Sequence, residues 1–160
     1  MTVEVGSKMP DAELREFTSD GMQKVPTSEL FAGRKVVLFA VPGAFTPTCS
    51  DTHLPGFLVR YDDLQAQGVD EIVCMAVNDA FVMTAWGKDR NAAGYIRMLA
   101  DGNGDLARAM GLELDASGFG MGQRCKRFAA IVDDGVVSYL GVEPAGEVGV
   151  SSAEAVLAAL

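Results

Sequence analysis

A chain of 160 residues fits one domain, 1–160, and its 49% of hydrophobic and 22% of charged residues exclude disorder as its main state. The 13 Lys and Arg against 22 Asp and Glu give a net charge of −9, which repels nucleic-acid phosphates and anionic lipids and excludes both as partners. The longest apolar runs, such as Val36 to Val41, are far shorter than the roughly 18 residues of a membrane-spanning helix, so we expect no membrane segment.

The first clear strand and helix lie in the first half of the chain. Lys35–Val41 is a short apolar run rich in β-branched residues, which predicts a buried strand. A helix is expected to follow, because Thr46 is a good N-cap and Pro47 suits the first helical position. We expect this helix to kink at Pro55 and to stop at Gly68.

The pattern of a strand followed by a helix is repeated further along the chain. Glu71–Val77 predicts a second buried strand, followed by a helix over about Asp79–Lys88. Tyr95–Ala100 predicts a shorter strand, and Asp105–Met110 predicts the helix after it. Alternation of this kind is typical of parallel strands joined by helices that cover the faces of a sheet.

The last third of the chain has a different pattern. Arg127–Val132 and Val136–Leu140 flank Asp133-Asp134-Gly135, which predicts an antiparallel hairpin. Ser151 and Glu154 stand at capping-box spacing before a final helix rich in Ala and Leu. The whole chain therefore predicts the α/β class, with a central mixed sheet flanked by helices.

The three cysteines, Cys49, Cys74 and Cys125, are an odd set without paired spacing. Such a set is typical of reduced thiols rather than of a disulfide framework. The stretch Met1–Gly6 lacks the features of a signal or transit peptide, so we expect a cytoplasmic protein. His53 is the only histidine, which leaves a poor set of metal ligands, and we expect no metal or other cofactor.

Cys49 is the candidate for a reactive thiol. In the first turn of a helix it lies near free backbone N–H groups and the positive end of the helix dipole, and both stabilise a thiolate. With Thr46 as the N-cap, its hydroxyl is expected close to the Cys49 amide, and the ring of Pro42 is expected to shield the sulfur from water. The alternative from local context is that Cys49 is a small buried residue in a well-capped helix.

The string Pro42-Gly-Ala-Phe-Thr46-Pro-Thr-Cys49 resembles the Pro-x-x-x-Thr-x-x-Cys active-site loop of peroxiredoxins. Five further stretches are similar to the type II, or peroxiredoxin-five-like, branch of that family: Val41–Pro47, His53–Phe57, Val77–Val82 with Trp86, Lys126–Phe128 and the Ser-Ser-Ala-Glu ending. The resemblance implies a thioredoxin-like fold. It also implies the two-electron reduction of hydrogen peroxide or small organic hydroperoxides.

The resemblance assigns roles to four side chains. It implies that Cys49 is the nucleophile and becomes a sulfenic acid, while its own amide and the Thr46 hydroxyl hold the two peroxide oxygens. Thiolate attack breaks the O–O bond, and the leaving oxygen needs hydrogen-bond donors and positive charge. By resemblance Arg127 supplies that charge and Pro42 belongs to the site, whereas from sequence alone Arg124 competes with Arg127.

A sulfenic acid must be reduced by a second thiol. The resemblance makes Cys74 a possible resolving residue, because plant-like type II enzymes carry a cysteine at a similar position; the alternative is core packing. A bond between Cys49 and Cys74 requires Cα atoms within about 7 Å and is expected to need local unfolding. Cys125 is expected to be an incidental loop thiol. The resemblance implies a resolving cysteine near the C-terminus, as in other family members, but no cysteine follows Cys125 here, so an external reductant, glutaredoxin with glutathione or thioredoxin, is favoured.

Two other classes of function stay open for Cys49. His53 follows it by four residues, on the same helix face, which suggests a Cys-His hydrolase. The base of such a hydrolase usually comes from a separate element, so a helix-positioning or polar surface role is favoured for His53. The second alternative is a redox-responsive binding or holdase protein in which oxidation of Cys49 acts as a switch.

Four large apolar residues stand in or near predicted loops: Phe45, Phe81, Met83 and Trp86. Their default interpretation is core packing. Similarity to the type II branch implies instead that some of them line a homodimer contact beside the active site. In that position they also form an apolar wall for organic hydroperoxides.

Overall fold

The structure, a computed structural model, describes residues 2–160, and the strands in this range are β1 (Glu13–Thr18), β2 (Gly21–Pro26), β3 (Lys35–Ala40), β4 (Glu71–Ala76), β5 (Arg97–Ala100), β6 (Glu113–Asp115), β7 (Gln123–Cys125), β8 (Phe128–Asp133) and β9 (Val136–Val142). Seven of them form one sheet in the order β2-β1-β5-β4-β3-β8-β9. Strands β3, β4 and β5 are parallel, and the outer strands join them antiparallel. β6 and β7 form a separate two-stranded sheet. The predicted mixed sheet is confirmed.

The helices are α1 (Thr27–Phe31), α2 (Leu54–Val59), α3 (Tyr61–Ala66), α4 (Ala80–Asp89), α5 (Asp105–Met110) and α6 (Ala153–Ala159), with a π turn over Cys49–His53 directly before α2 and a 3-10 turn over Ser117–Phe119. Every predicted strand is confirmed to within two residues at each end, and so are the predicted helices at α4 and α5. Within residues 2–160, no helix is long and apolar enough to cross a membrane.

Strand β3 lies inside the sheet, between β4 and β8, and buries both of its faces. Side chains alternate along a strand, so Phe39 faces one hydrophobic core and Leu38 faces the other. Cys49 and Cys74 belong to the same core as Phe39, whereas Cys125 belongs to the core on the Leu38 side. The sheet therefore separates Cys125 from the two other thiols.

The hairpin of β1 and β2 is missing from the sequence prediction, although it extends the sheet beyond β5. Its turn contains Asp20-Gly21, and Gly21 has a φ of 96°, a conformation that favours glycine. An Asp-Gly pair is the signal that predicted the hairpin of β8 and β9, so the same rule would have found this one. β6 and β7 have only three residues each and carry no measurable periodicity.

The helix that carries Cys49 bends at a different place from the one predicted. The irregularity is the π turn rather than a kink at Pro55, and the Leu54 N–H donates to the Cys49 carbonyl oxygen, five residues back. Pro55 has no N–H to bond to the preceding turn, and a wider turn accommodates that loss. A second break at Arg60 separates α2 from α3, which the prediction had joined into one helix.

The N-cap of α6 is Ser152, so the prediction of Ser151 was wrong. The Ser152 hydroxyl oxygen accepts a hydrogen bond from the Ala155 N–H at 3.1 Å. Ser151 is fully buried, and its hydroxyl donates to the Glu143 carboxylate at 2.7 Å. By local rules either of the two adjacent serines can cap the helix. The distant Glu143 carboxylate binds the Ser151 hydroxyl, which leaves Ser152 as the cap.

Candidate active site

Cys49 lies where the loop after β3 becomes a helix. The helical residues begin at Pro47, and the Ser50 N–H donates to the Thr46 carbonyl oxygen at 2.9 Å. The Cys49 N–H precedes this first bonded position, so it belongs to the N–H groups that a helix leaves free for other partners. The thiol thus lies in the first helical turn, as predicted, and its residue is fully buried.

The sequence predicts that the Thr46 hydroxyl lies close to the Cys49 amide, but the structure directs this hydroxyl elsewhere. It donates to the Gly43 carbonyl oxygen at 2.7 Å and so closes the loop before the helix. Because a hydroxyl has one proton, the lone pairs of this oxygen remain available to accept. The loop is also tightly packed, since a Cβ on Gly43 would lie 3.1 Å from the Met121 side chain.

The guanidinium of Arg127 contacts the sulfur directly. Its Nη2 lies 3.1 Å from the Cys49 Sγ, and its Nη1 lies 2.8 Å from the His53 Nδ1. Arg127 is only 8% exposed, so water screens its charge poorly. Arg124, its competitor in the sequence, instead donates to two backbone carbonyl oxygens at 2.9 and 3.0 Å. Of these two arginines, Arg127 is the one in contact with the thiol.

His53 is buried beside Arg127, so a surface role is wrong. Its Nε2 lies 2.8 Å from the Ser151 carbonyl oxygen, which can only accept, so Nε2 carries the proton and Nδ1 accepts from Arg127. Burial lowers the pKa of His53 to about 4, with the Ser151 bond raising it and the charge of Arg127 lowering it. The ring is neutral at pH 7, and its acceptor nitrogen is already occupied by Arg127. This arrangement argues against His53 as the base of a hydrolase.

The two other thiols are buried and kept protonated. Burial raises the pKa of Cys74 well above its ordinary value, the nearby Cys49 raises it further, and Arg127 acts in the opposite direction. Burial also raises the pKa of Cys125, and Asp101 adds to that effect. Cys125 ends strand β7, so the predicted loop position was wrong. Neither environment favours a thiolate, which is the reactive form of cysteine.

Two polar anchors of the active-site loop were missed by the sequence reasoning. The Asn78 Oδ1 accepts from the Ala44 N–H at 2.9 Å, and the Trp86 Nε1 donates to the Ser50 Oγ at 2.9 Å. These bonds tie the loop before α4, and α4 itself, to the segment around the thiol. Trp86 and Met83 are fully buried, so their core interpretation is correct.

A cleft of about 440 Å³ opens beside Pro42 and Arg127. Its wall is formed largely by apolar side chains: Leu114, Ala116, Phe119, Met121, Val142 and Pro144. Phe119 is 87% exposed at its rim. This wall has no signal in the sequence, because Leu114 to Met121 is short, rich in glycine and without helical or strand periodicity.

The sequence profile of the Redoxin family matches residues 4–157. Peroxiredoxin-2E-2, a chloroplastic protein of Oryza sativa, is 51% identical over 99% of this chain and 73% of its own length. The chain belongs to the peroxiredoxin family. Peroxiredoxin-2D of Arabidopsis thaliana is 46% identical over 99% of this chain and 98% of its own, which supports the type II branch. The chain is therefore a thiol-dependent peroxidase, as its resemblance to peroxiredoxins implied.

A solved structure of a peroxiredoxin shows which fold this chain has. The crystal structure of reduced Prx3 from Vibrio vulnificus in complex with H2O2 is 54% identical to this peroxiredoxin. The two chains superpose with a TM-score of 0.95, and the alignment covers 99% of each. The thioredoxin-like fold that the resemblance implied is confirmed.

Phe45 and Phe81, two of the apolar residues singled out in the sequence, are exposed in this peroxiredoxin. Phe45 is 49% exposed and has a φ of 64°, which is uncommon for a bulky residue and marks a constrained loop. Phe81 is 57% exposed, and its ring packs against Phe17 with centroids 4.8 Å apart. Of the four apolar residues singled out in the sequence, these two therefore have side chains available on the surface.

The burial of His53 leads us to predict a lower free energy of unfolding in acid. As the pH falls from 6.5 to about 4, we expect the peroxiredoxin to lose about 3 kcal/mol of unfolding free energy, because unfolded His53 gains a proton and folded His53 does not. This contribution is complete above pH 6.5. Urea denaturation at a series of pH values measures it, with His53→Gln as the non-titrating control. Equal slopes for the two proteins over this interval would contradict the expectation.

Proposed function

We propose that Cys49 is the peroxidatic nucleophile and that Arg127, Thr46 and Pro42 complete its site. The observation that carries this proposal is the 3.1 Å contact between the Arg127 guanidinium and the Cys49 sulfur. A fixed positive charge at that distance, together with the free N–H groups of the first helical turn, favours a thiolate. The ring of Pro42 is half-buried and has no N–H to donate, and we propose that it shields the sulfur on the side of the loop.

The reaction with hydrogen peroxide transfers one oxygen to sulfur. The thiolate of Cys49 attacks the nearer oxygen along the O–O axis, an S–O bond forms, and the O–O bond breaks. The leaving hydroxide takes a proton and becomes water, and Cys49 becomes a sulfenic acid. Arg127 and the Cys49 N–H donate to the oxygens on which charge develops. The Thr46 oxygen, whose own proton is bound to Gly43, accepts from the peroxide O–H.

We propose that small organic hydroperoxides are substrates as well as hydrogen peroxide. The apolar cleft beside Pro42 and Arg127 supports this range, because it offers an alkyl group a place to leave water. The lining includes Arg127, the residue whose guanidinium contacts the Cys49 sulfur, and in this proposal the peroxide group binds on that side. An enzyme for hydrogen peroxide alone needs no such apolar wall.

We propose that an external thiol, from glutaredoxin with glutathione or from thioredoxin, restores the enzyme. The external thiol condenses with the sulfenic acid, which releases water and forms a mixed disulfide. A second thiol then attacks this disulfide and frees Cys49. The raised pKa values of Cys74 and Cys125 support an external route, since only thiolates attack efficiently. Cys125 also lies in the opposite core.

The recycling route predicts that Cys74→Ser keeps wild-type turnover of peroxide with glutaredoxin and glutathione. The buried thiol contributes packing, and the serine is nearly isosteric, so the folded enzyme retains its site. Peroxide consumption coupled to NADPH oxidation measures this turnover, with Cys125→Ser as the matched control in the other core. Loss of thioredoxin-supported turnover in Cys74→Ser alone would make Cys74 the resolving residue. No turnover of the wild type with any of these reductants would overturn the external route.

We further propose a homodimer, a single domain over residues 1–160 and a cytoplasmic location. The exposed rings of Phe45, in the active-site loop, and of Phe81, in α4, support a contact between two copies. The seven-stranded sheet includes the first strand of the chain, β1, and the last, β9, which supports a single domain. Three free cysteines support a reducing compartment. Light scattering of the reduced protein tests the dimer directly.

A further inference from the structure

Glu143 is a buried carboxylate that follows the last residue of β9 and lies outside the reacting atoms. It is 8% exposed, and its Oε2 accepts hydrogen bonds from the Ser151 N–H at 2.8 Å, the Ser151 hydroxyl at 2.7 Å and the Gly149 N–H. Burial alone raises its pKa, but the hydrogen bonds outweigh burial and leave the pKa below its ordinary value. The group is therefore ionised at neutral pH and holds the 149–151 segment through one oxygen.

The same segment is held over β9 at two further points. The Tyr139 hydroxyl donates to the Val150 carbonyl oxygen at 2.5 Å. Gly141 lies directly below, and a Cβ at this position would collide with the same carbonyl oxygen. With these contacts and the Glu143 bonds, the backbone at Ser151 is fixed relative to the sheet.

The backbone at Ser151 leads to the reactive sulfur in three contacts. The Ser151 carbonyl oxygen accepts from His53 Nε2 at 2.8 Å, and His53 Nδ1 accepts from Arg127 at 2.8 Å. Arg127 in turn donates to the Cys49 Sγ at 3.1 Å. A second connection runs through the main chain, where the Glu143 N–H donates to the Arg127 carbonyl oxygen at 2.9 Å.

We propose that Glu143 is a positioning residue that acts through Ser151 and His53 to hold the Arg127 guanidinium on the Cys49 sulfur. The inference rests on the proposed function, because it assumes that this arginine promotes attack on peroxide. An arginine side chain has many rotamers, and a misplacement of about 1 Å in a reacting site can cost up to roughly 10²-fold in rate. The carboxylate removes this freedom from a distance.

Geometry and charge make opposite predictions for Glu143. If its negative charge were the important property, removing the charge would strengthen the net positive field at the sulfur and favour the thiolate. If the position of its oxygens is important, a shorter acid loses the hydrogen bonds to the 149–151 segment and slows the reaction, although the charge remains. Glu143→Asp keeps the charge and withdraws the oxygens by one methylene. Glu143→Gln removes the charge and keeps one carbonyl oxygen at the original distance, able to accept the same N–H and O–H groups.

We expect Glu143→Asp to slow oxidation of the reduced protein by hydrogen peroxide roughly tenfold. Glu143→Gln should retain most of the wild-type rate. Rapid quench with an alkylating agent measures loss of the Cys49 thiol. Tyr139→Phe is the comparison variant, because it removes only the bond to the Val150 carbonyl oxygen and leaves the Glu143 bonds to Ser151 in place, and its loss of rate should be smaller than that of Glu143→Asp.

The single histidine provides a second readout, since its ring nitrogens give one set of NMR signals. We expect the Nε2–H tautomer and its hydrogen-bonded shift in the wild type and in Glu143→Gln, and loss of that shift in Glu143→Asp. Circular dichroism verifies that each variant is folded. If Glu143→Asp does not fold, Ser151→Ala replaces it, with an expected loss of about threefold from the missing hydroxyl donor.

Three results would overturn the inference: a folded Glu143→Asp, or Ser151→Ala in its place, that reacts as fast as the wild type; a Glu143→Gln that is slower than Glu143→Asp; or a Tyr139→Phe that loses as much as Glu143→Asp. Failure of the proposed function gives a different result. In that case the wild type itself reacts with peroxide no faster than free cysteine, whatever residue occupies position 143.

Discussion

Replacing Cys49 with serine is expected to lower peroxide consumption by at least about 10³-fold, because a serine hydroxyl is not ionised at neutral pH and is a far weaker nucleophile than a thiolate. The guanidinium at 3.1 Å and the helical N–H groups then have no anion to stabilise. Steady-state consumption of hydrogen peroxide with saturating glutathione and glutaredoxin measures the loss. Serine is nearly isosteric with cysteine, so the far-ultraviolet circular dichroism should be unchanged.

The control for this substitution is Cys125→Ser. Cys125 is as deeply buried as Cys49 but lies on the other side of the sheet, so its replacement tests for a general effect of losing a core thiol. We expect it to keep full activity. If Cys49→Ser keeps substantial turnover and this turnover disappears when Cys74 is also replaced, Cys74 rather than Cys49 is the nucleophile.

Replacing Arg127 with lysine is expected to lower the rate of thiol oxidation by about 10²-fold, a loss typical for a donor that stabilises developing negative charge. The planar guanidinium contacts Cys49 and His53 with two different nitrogens, at 3.1 and 2.8 Å. A lysine ammonium is a point charge without that fork and cannot reproduce both contacts in one geometry. Rapid quench of the reduced enzyme with hydrogen peroxide measures the change at several pH values.

The matched control is Arg124→Lys. Arg124 precedes Arg127 by three residues, carries the same charge, and directs its donors to backbone carbonyl oxygens rather than to the thiol. It should therefore react at nearly the wild-type rate. A slower reaction in Arg124→Lys than in Arg127→Lys would contradict the assignment of the catalytic charge and favour the competitor that sequence alone left open.

Local signals account for the parts of the fold and site that could be predicted. The buried run of β3 and the Thr46-Pro47 pair at the helix start depend on residues adjacent in the chain, and they placed Cys49 in the first helical turn. Arg127 is different, since 78 positions separate it from Cys49 in the chain. Only the likeness to peroxiredoxins selected it over Arg124.

Long-range contacts explain what could not be predicted. A helix-positioning or polar surface role is all that the sequence predicts for His53, because its helix position is all that the sequence shows, yet Ser151 and Arg127 come from distant parts of the chain and contact its ring. The spacing of Ser151 and Glu154 likewise predicts a helix cap at Ser151, but the Ser151 hydroxyl donates to the distant Glu143 carboxylate instead. The apolar cleft also forms only when separate loops meet. Such sites depend on partners that are brought together by folding.

The three thiols are expected to differ in reactivity because their surroundings differ. Cys49 is held by Arg127 in the first turn of a helix, whereas burial raises the pKa of Cys74 and of Cys125. The reactive sulfur is thus distinguished by its surroundings and not by its exposed area, which is equally small for all three cysteines. Oxidation should discriminate between them.

The most direct measurement of this claim is time-resolved mass spectrometry of the reduced wild-type protein after one equivalent of hydrogen peroxide. We predict that sulfenic acid appears at Cys49 far faster than free cysteine reacts, before any change at Cys74 or Cys125. Oxidation of all three thiols at similar rates, or oxidation of Cys49 no faster than free cysteine, would contradict the account.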